Sequence, residues 1–295
     1  MEVKYDRDAI RDALLKELEL LEAEGVRSIP CNISAIENLF AKNIGGISER
    51  RTFATKLDSV AAGEAVNLDG NVPFYMAPIG SPPEVRLPAG TKRARWNYLR
   101  EQVLNCPVCN AHVKLGKKVV FGVGNLDADI FLCGEAPGAD EEIAGEPFVG
   151  RAGQLLTKII EAMGIGREDV YIGNIMNWRP EMLTPHGNRP PTEEEMAFCL
   201  PYLRAQVEIV CPKVIIALGA TAVCGLLGPN PKRRMCDVRG QWMTFGCTPL
   251  MITYHPSYLL RYASNESKRV VWEDFMKVME FLNMSISEKQ RAYFL

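Results

Sequence analysis

Residues 128–164, ADIFLCGEAPGADEEIAGEPFVGRAGQLLTKIIEAMG, run from an apolar strand through a loop rich in glycine and carboxylates into a periodic helix. ADIFLCG has the continuous apolar centre of a strand buried on both faces. QLLTKIIEAMG spaces its apolar residues for one face of a helix. The unit recurs downstream: DVYIGN, KVIIALG and TPLMITY are strand candidates, and TEEEMAFCLPYLRAQVEIV, ATAVCGLLG and SKRVVWEDFMKVMEFLNM are helix candidates. This alternation predicts an α/β fold of three layers, α/β/α, around a central four-stranded parallel sheet. Sheets of this kind bind ligands at the carboxyl ends of their strands. Each strand candidate runs into a polar or glycine-rich segment, GEAPGADEE, GNIMNWRP, GATAV or YHPSYLLR, and these loops are expected to gather into one cleft.

Upstream the rhythm differs. From 6 to 24, Ile10, Leu14, Leu15, Leu18 and Leu21 recur at helical spacing, and Gly25 ends the pattern. From 63 to 90 prolines and glycines break every periodicity, as in a linker or wrapping arm. A basic helical stretch, TKRARWNYLREQVLN, then leads into CPVC. The expected organisation is a mainly helical extension with its linker over 1–91 and the main domain over 92–295.

Over 295 residues, 47% hydrophobic content is enough to bury a full core. The absence of a long apolar run and the charged start MEVKYDRDAI lead to the expectation of a cytoplasmic protein with no membrane partner. Nine cysteines in that setting are expected to be reduced and to serve as ligands or packing. A net charge of -2 gives no global attraction for nucleic acid, so any such contact must come from local patches.

The loop over 134–142 sets Glu135 among small residues at a strand end, where backbone amides and a carboxylate can approach a ligand; a plain phosphate-binding turn would have the same composition. Phe148 follows in GEPFVGRAGQLL, between glycines, where an aromatic ring can stack on a flat base. Asn174 ends DVYIGN with one acceptor and two donors, matching the O4 and N3–H edge of uracil, although a turn cap uses asparagine too. His255, one of three histidines, sits beside Pro256 at the end of LMITY, suited to polarising a carbonyl.

Together these loops resemble the uracil-DNA glycosylase superfamily, and most closely its family 4, the iron-sulfur type. The resemblance runs from about Cys106 to Leu282 through GEAPGADEE, EPFVGRAGQLL, Asn174, GNRPPTEEE, KVIIALGATA and HPSYLLR, in the family's order. It implies hydrolysis of the N-glycosidic bond of uracil in double- or single-stranded DNA, leaving an abasic site, by an enzyme acting as a monomer. Glu135 would position the water, Phe148 would stack on the flipped uracil, Asn174 would read its edge, and His255 would stabilise charge on O2. Gly134 and Ala136 would line the same pocket; Ala136 stands where some relatives carry an aspartate, which implies weaker water activation. Cleavage leaves an anionic base that the site must stabilise. Extrusion costs least for a mispaired base, favouring U opposite G. The competing readings are excision of hypoxanthine or xanthine, and a non-catalytic uracil-DNA binding protein.

The family's 4Fe-4S cluster takes four thiolates. Cys106, Cys109 and Cys199 match three of those positions, but Trp178 stands at the remaining one, and an indole cannot replace a thiolate. Cys133, Cys211, Cys224, Cys236 and Cys247 are candidate fourth ligands, Cys133 looking more like core packing, and zinc on the same thiolates is the alternative. The insertion EMLTPHG also departs from the family. One branch carries a covalently reacting histidine near His186, but alignment on the next proline puts that histidine on Asn188, so covalent trapping is not expected. Contact with phosphates is expected chiefly from Lys232, Arg233, Arg234 and Arg239, with further basic groups at Lys92, Arg93, Arg95 and Arg100 and at Lys114, Lys117 and Lys118.

Overall fold

The computed structural model describes residues 79–180 and 189–295, within a unit spanning Tyr75–Leu295. The expected helix over 6 to 24, most of the proline-rich arm, and the insertion with His186 and Asn188 lie outside the described residues.

Strands β1 (Val123–Gly124), β2 (Ile130–Gly134), β3 (Tyr171–Asn174), β4 (Val214–Leu218), β5 (Trp242–Phe245) and β6 (Thr248–Thr253) form one sheet in the order β1-β3-β2-β4-β6-β5. The centre, β3-β2-β4-β6, is parallel, as the apolar runs predict. β1 and β5 add antiparallel edges, so the sheet is mixed and six-stranded, not four-stranded. Neither edge could carry the signal of a doubly buried strand. β1 is two residues long, and β5 exposes Trp242, Met243 and Thr244.

The helices are α1 (Lys92–Leu104), α2 (Pro107–Ala111), α3 (Ala139–Ala144), α4 (Arg151–Ala162), α5 (Glu193–Val210), α6 (Ala220–Leu227), α7 (Met235–Val238), α8 (Pro256–Arg261), α9 (Asn265–Phe281) and α10 (Glu288–Arg291). Strand alternation sends Phe131, Cys133, Ile215, Ala217, Leu250 and Ile252 to a core shared with α1, α5 and α6. It sends Ile130, Leu132, Ile216, Leu218 and Met251 to a second core shared with α4 and α9. This is the expected α/β/α layering. Each such Leu or Ile contributes roughly 1.5–3 kcal/mol by leaving water. Ile79, Val85 and Leu87 of the arm pack on the first core. No helix among the described residues is long and apolar enough to cross a membrane.

Register then aligns the strand ends. Gly134 pairs with Asn174, and Leu218 with Thr253. The loops after β2, β3, β4 and β6 therefore leave the parallel sheet at one end.

Candidate active site

Gly134, Phe148 and Asn174 meet at that end. A Cβ on Gly134 would collide with Asn174 Oδ1 and lie 2.5 Å from Phe148 Cζ, so only glycine lets all three approach. Asn174 is 7% exposed, and its Oδ1 is buried with no hydrogen-bond partner among the described residues. Buried acceptors are normally satisfied, and one left open at a strand end is poised for a donor from outside the chain. Phe148 holds a left-handed backbone, φ 54, which a bulky side chain adopts only under constraint. The constraint is visible: a Cβ on Gly153 would collide with the Phe148 carbonyl, and the Arg167 guanidinium donates to the Pro147 carbonyl at 2.7 Å.

The Phe148 ring lies 5.6 Å from the His255 ring, centre to centre. His255 caps α8: its Nδ1 accepts the Ser257 backbone N–H at 3.2 Å and lies 2.8 Å from Ser257 Oγ. An amide nitrogen can only donate, so the imidazole proton resides on Nε2. Burial, aided by the positive charge of Arg261, lowers the His255 pKa to about 4. At neutral pH the site therefore presents an uncharged imidazole whose Nε2–H is a donor.

Glu135 and Ala136 are half-buried directly after β2. The Glu135 carbonyl accepts from Met176 N at 3.0 Å, fixing this loop to the one after β3. A second tie lies farther along, where buried Glu142 on α3 pairs with Arg179 at 3.1 Å and with Lys117 at 3.7 Å. Gly134 and Asn174 are thus the last residues of β2 and β3, Glu135 and Ala136 follow β2, His255 follows β6, and Phe148 lies between α3 and α4.

The basic residues are placed less uniformly. Lys232 and Arg234 are exposed and Arg233 half-buried, with Arg233 donating to the Gly228 carbonyl at 2.8 Å and Arg234 paired to Asp237 at 2.7 Å. Arg239 turns inward and pairs with fully buried Asp274 at 2.6 Å. Asp274 in turn accepts from Thr253 Oγ1 at 2.8 Å, two residues before His255. Lys92 bonds the Leu126 and Val210 carbonyls, Arg95 pairs with Glu208, and Arg93 and Arg100 lie over Trp96.

Cys106 caps α2, Cys109 lies on it, and Cys199 lies on α5; all three are buried. Trp178, 1% exposed, stacks on His112 with ring centres 4.9 Å apart. Among the described residues no three His, Cys, Asp or Glu side chains are grouped to hold a metal ion. Cys133 is fully buried in a strand, whereas Cys211, Cys236 and Cys247 are exposed and Cys224 half-buried. With an indole among its donors, this set does not fit a four-thiolate cluster.

Sequence reasoning missed Ser257, Asp274 and Arg179. Ser257 could have been found as the N–H two residues into a helix capped by His255. Asp274 pairs with Arg239 across 35 positions, and no local signal marks it.

Comparison with known proteins adds the context. The model of the uracil DNA glycosylase superfamily matches residues 121–276. A type-4 uracil-DNA glycosylase of Thermotoga maritima is 44% identical over 195 residues, covering 65% of this chain and 97% of that protein. The type-4 uracil-DNA glycosylase of Pyrobaculum aerophilum is 43% identical over 170 residues, 55% of this chain and 83% of its own. That of Saccharolobus solfataricus is 40% identical over 194 residues, 63% and 86%.

Proposed function

The chain belongs to the uracil DNA glycosylase superfamily, and from that premise we propose that it hydrolyses the N-glycosidic bond of uracil in DNA, releasing the base and leaving an abasic site. The observation that carries this reading is the buried, unpartnered Oδ1 of Asn174 in contact range of Gly134 and Phe148.

A uracil extruded from its strand would lie along Phe148, with N3–H donated to Asn174 Oδ1 and O4 accepting from the same amide. As the glycosidic bond lengthens, negative charge grows on O2, where the Nε2–H of His255 would donate. A neutral imidazole suits that role, because its proton stays in place as the anion forms. Glu135, at the turn after β2, would hold the attacking water against the electron-poor sugar. Every group in this scheme belongs to the chain's own side chains. The left-handed strain at Phe148 accords with it, since such strain concentrates where a ring must be aimed.

Lys232 and Arg233 supply phosphate contact in this reading, while Arg239 acts through Asp274 on the strand that carries His255. The enzyme is taken to act as a cytoplasmic monomer on double- or single-stranded DNA, with the main domain over 92–295 as the catalytic unit. A panel of duplexes carrying uracil, hypoxanthine or xanthine tests base choice. Free uracil is the expected product, and release of a purine base without uracil would overturn the proposal.

A further inference from the structure

Three segments meet at the place where the family 4 resemblance implies a cluster: α2 with the residues after it, the loop following β3, and the first half of α5. One physical fact there opposes four-iron chemistry, and it concerns donors. The Trp178 nitrogen has its lone pair in the ring and can only donate a proton, so it cannot take the ligand position it occupies.

The same residues form a continuous alternative. His112 stacks on Trp178 at 4.9 Å and 12° between planes; Trp178 meets Phe198 edge-on at 6.0 Å; Phe198 meets Tyr202 at 6.4 Å. Tyr202 and buried Cys106, at the start of α2, belong to the same apolar core. These four rings are between 1% and 6% exposed. They link the three segments that a cluster would cross-link. Among the described residues His112 Nε2 is also buried without a partner, but it joins no group of three donors placed to hold a metal ion.

We propose that this chain ties α2, the post-β3 loop and α5 together with a packed ladder of rings and reduced thiols in place of an iron-sulfur cluster, and that it folds without bound metal. Cys106, Cys109 and Cys199 are then core thiols. The inference concerns this structural site alone and stands apart from base choice, because its readout is metal content and melting.

The full chain is purified without oxygen from iron-replete cells, and one portion is incubated with ferrous iron, sulfide and reductant, another with zinc. After desalting, metal and acid-labile sulfide are measured, with a visible spectrum. The expected result is no stoichiometric iron, sulfide or zinc in either portion, no charge-transfer absorption, and an unchanged melting temperature. Iron and sulfide retained in cluster proportion would overturn the proposal. So would stoichiometric zinc that is lost in Cys109→Ser or His112→Ala. The ladder itself is tested by Trp178→Ala, which should lower the melting temperature by roughly 10 °C, with Trp178→Phe closer to the parent. An unshifted Trp178→Ala would contradict the ladder's role.

Discussion

Asn174 keeps a buried oxygen without a partner among the described residues, a state that costs about 1–3 kcal/mol and is recovered when a donor arrives. Replacing it with alanine should therefore lower kcat/KM on uracil DNA by about 10²–10³-fold, as loss of one preorganised polar group does elsewhere, with little change in melting. Single-turnover kinetics read this, and an unchanged rate would remove Asn174 from the site. His255 makes a separate pH prediction. Its ring stays unprotonated in the fold until about pH 4, whereas the unfolded ring takes a proton near 6.5. The stability contributed above 6.5 is thus lost as pH falls toward 4, by at most about 3 kcal/mol. Denaturant unfolding across that window should show this slope in the parent and not in His255→Gln. Equal slopes would place a protonated histidine in the native site.

At the scale of elements, the Arg239, Asp274 and Thr253 contacts clamp α9 to the end of β6, just before His255. Arg239→Ala strands a fully buried carboxylate and should cost about 3–5 kcal/mol, or on the order of 10 °C in melting temperature. The slope of DNA affinity against salt should not change in that variant. Lys232→Ala with Arg233→Ala should do the reverse, keeping stability and reducing the salt slope by about one per charge removed. A salt effect from Arg239→Ala would return that residue to the phosphate surface. Elements were legible where burial was two-sided, since β2 and β4 are continuous apolar runs and β3 and the last four residues of β6 are buried. β1 and β5 were not, because an edge strand with a solvated face carries too little apolar pattern to stand out. The Arg239 clamp was illegible for another reason: a charge run looks the same in sequence whether its arginine faces water or a buried aspartate.

Across the whole molecule, parallel strands set four loops at one end of the sheet, and the site is what those loops bring together. Glu135, Asn174 and His255 stand out in the sequence because each lies at or just after the end of a strand, and Phe148 because it lies between glycines in the loop from α3 to α4. What holds them in place was hidden, because Ser257 acts through a backbone N–H and Arg179 through an ion pair to Glu142 made across the fold. Uracil excision at this end of the sheet is tested by incubating the full chain with a labelled U:G duplex and then with alkali, which breaks the strand at abasic sites, alongside Glu135→Ala and Asn174→Ala. A break at the uracil position is expected with the parent, and a strong loss in both variants. An intact strand after treatment with folded parent protein, or a break undiminished in both variants, would contradict it.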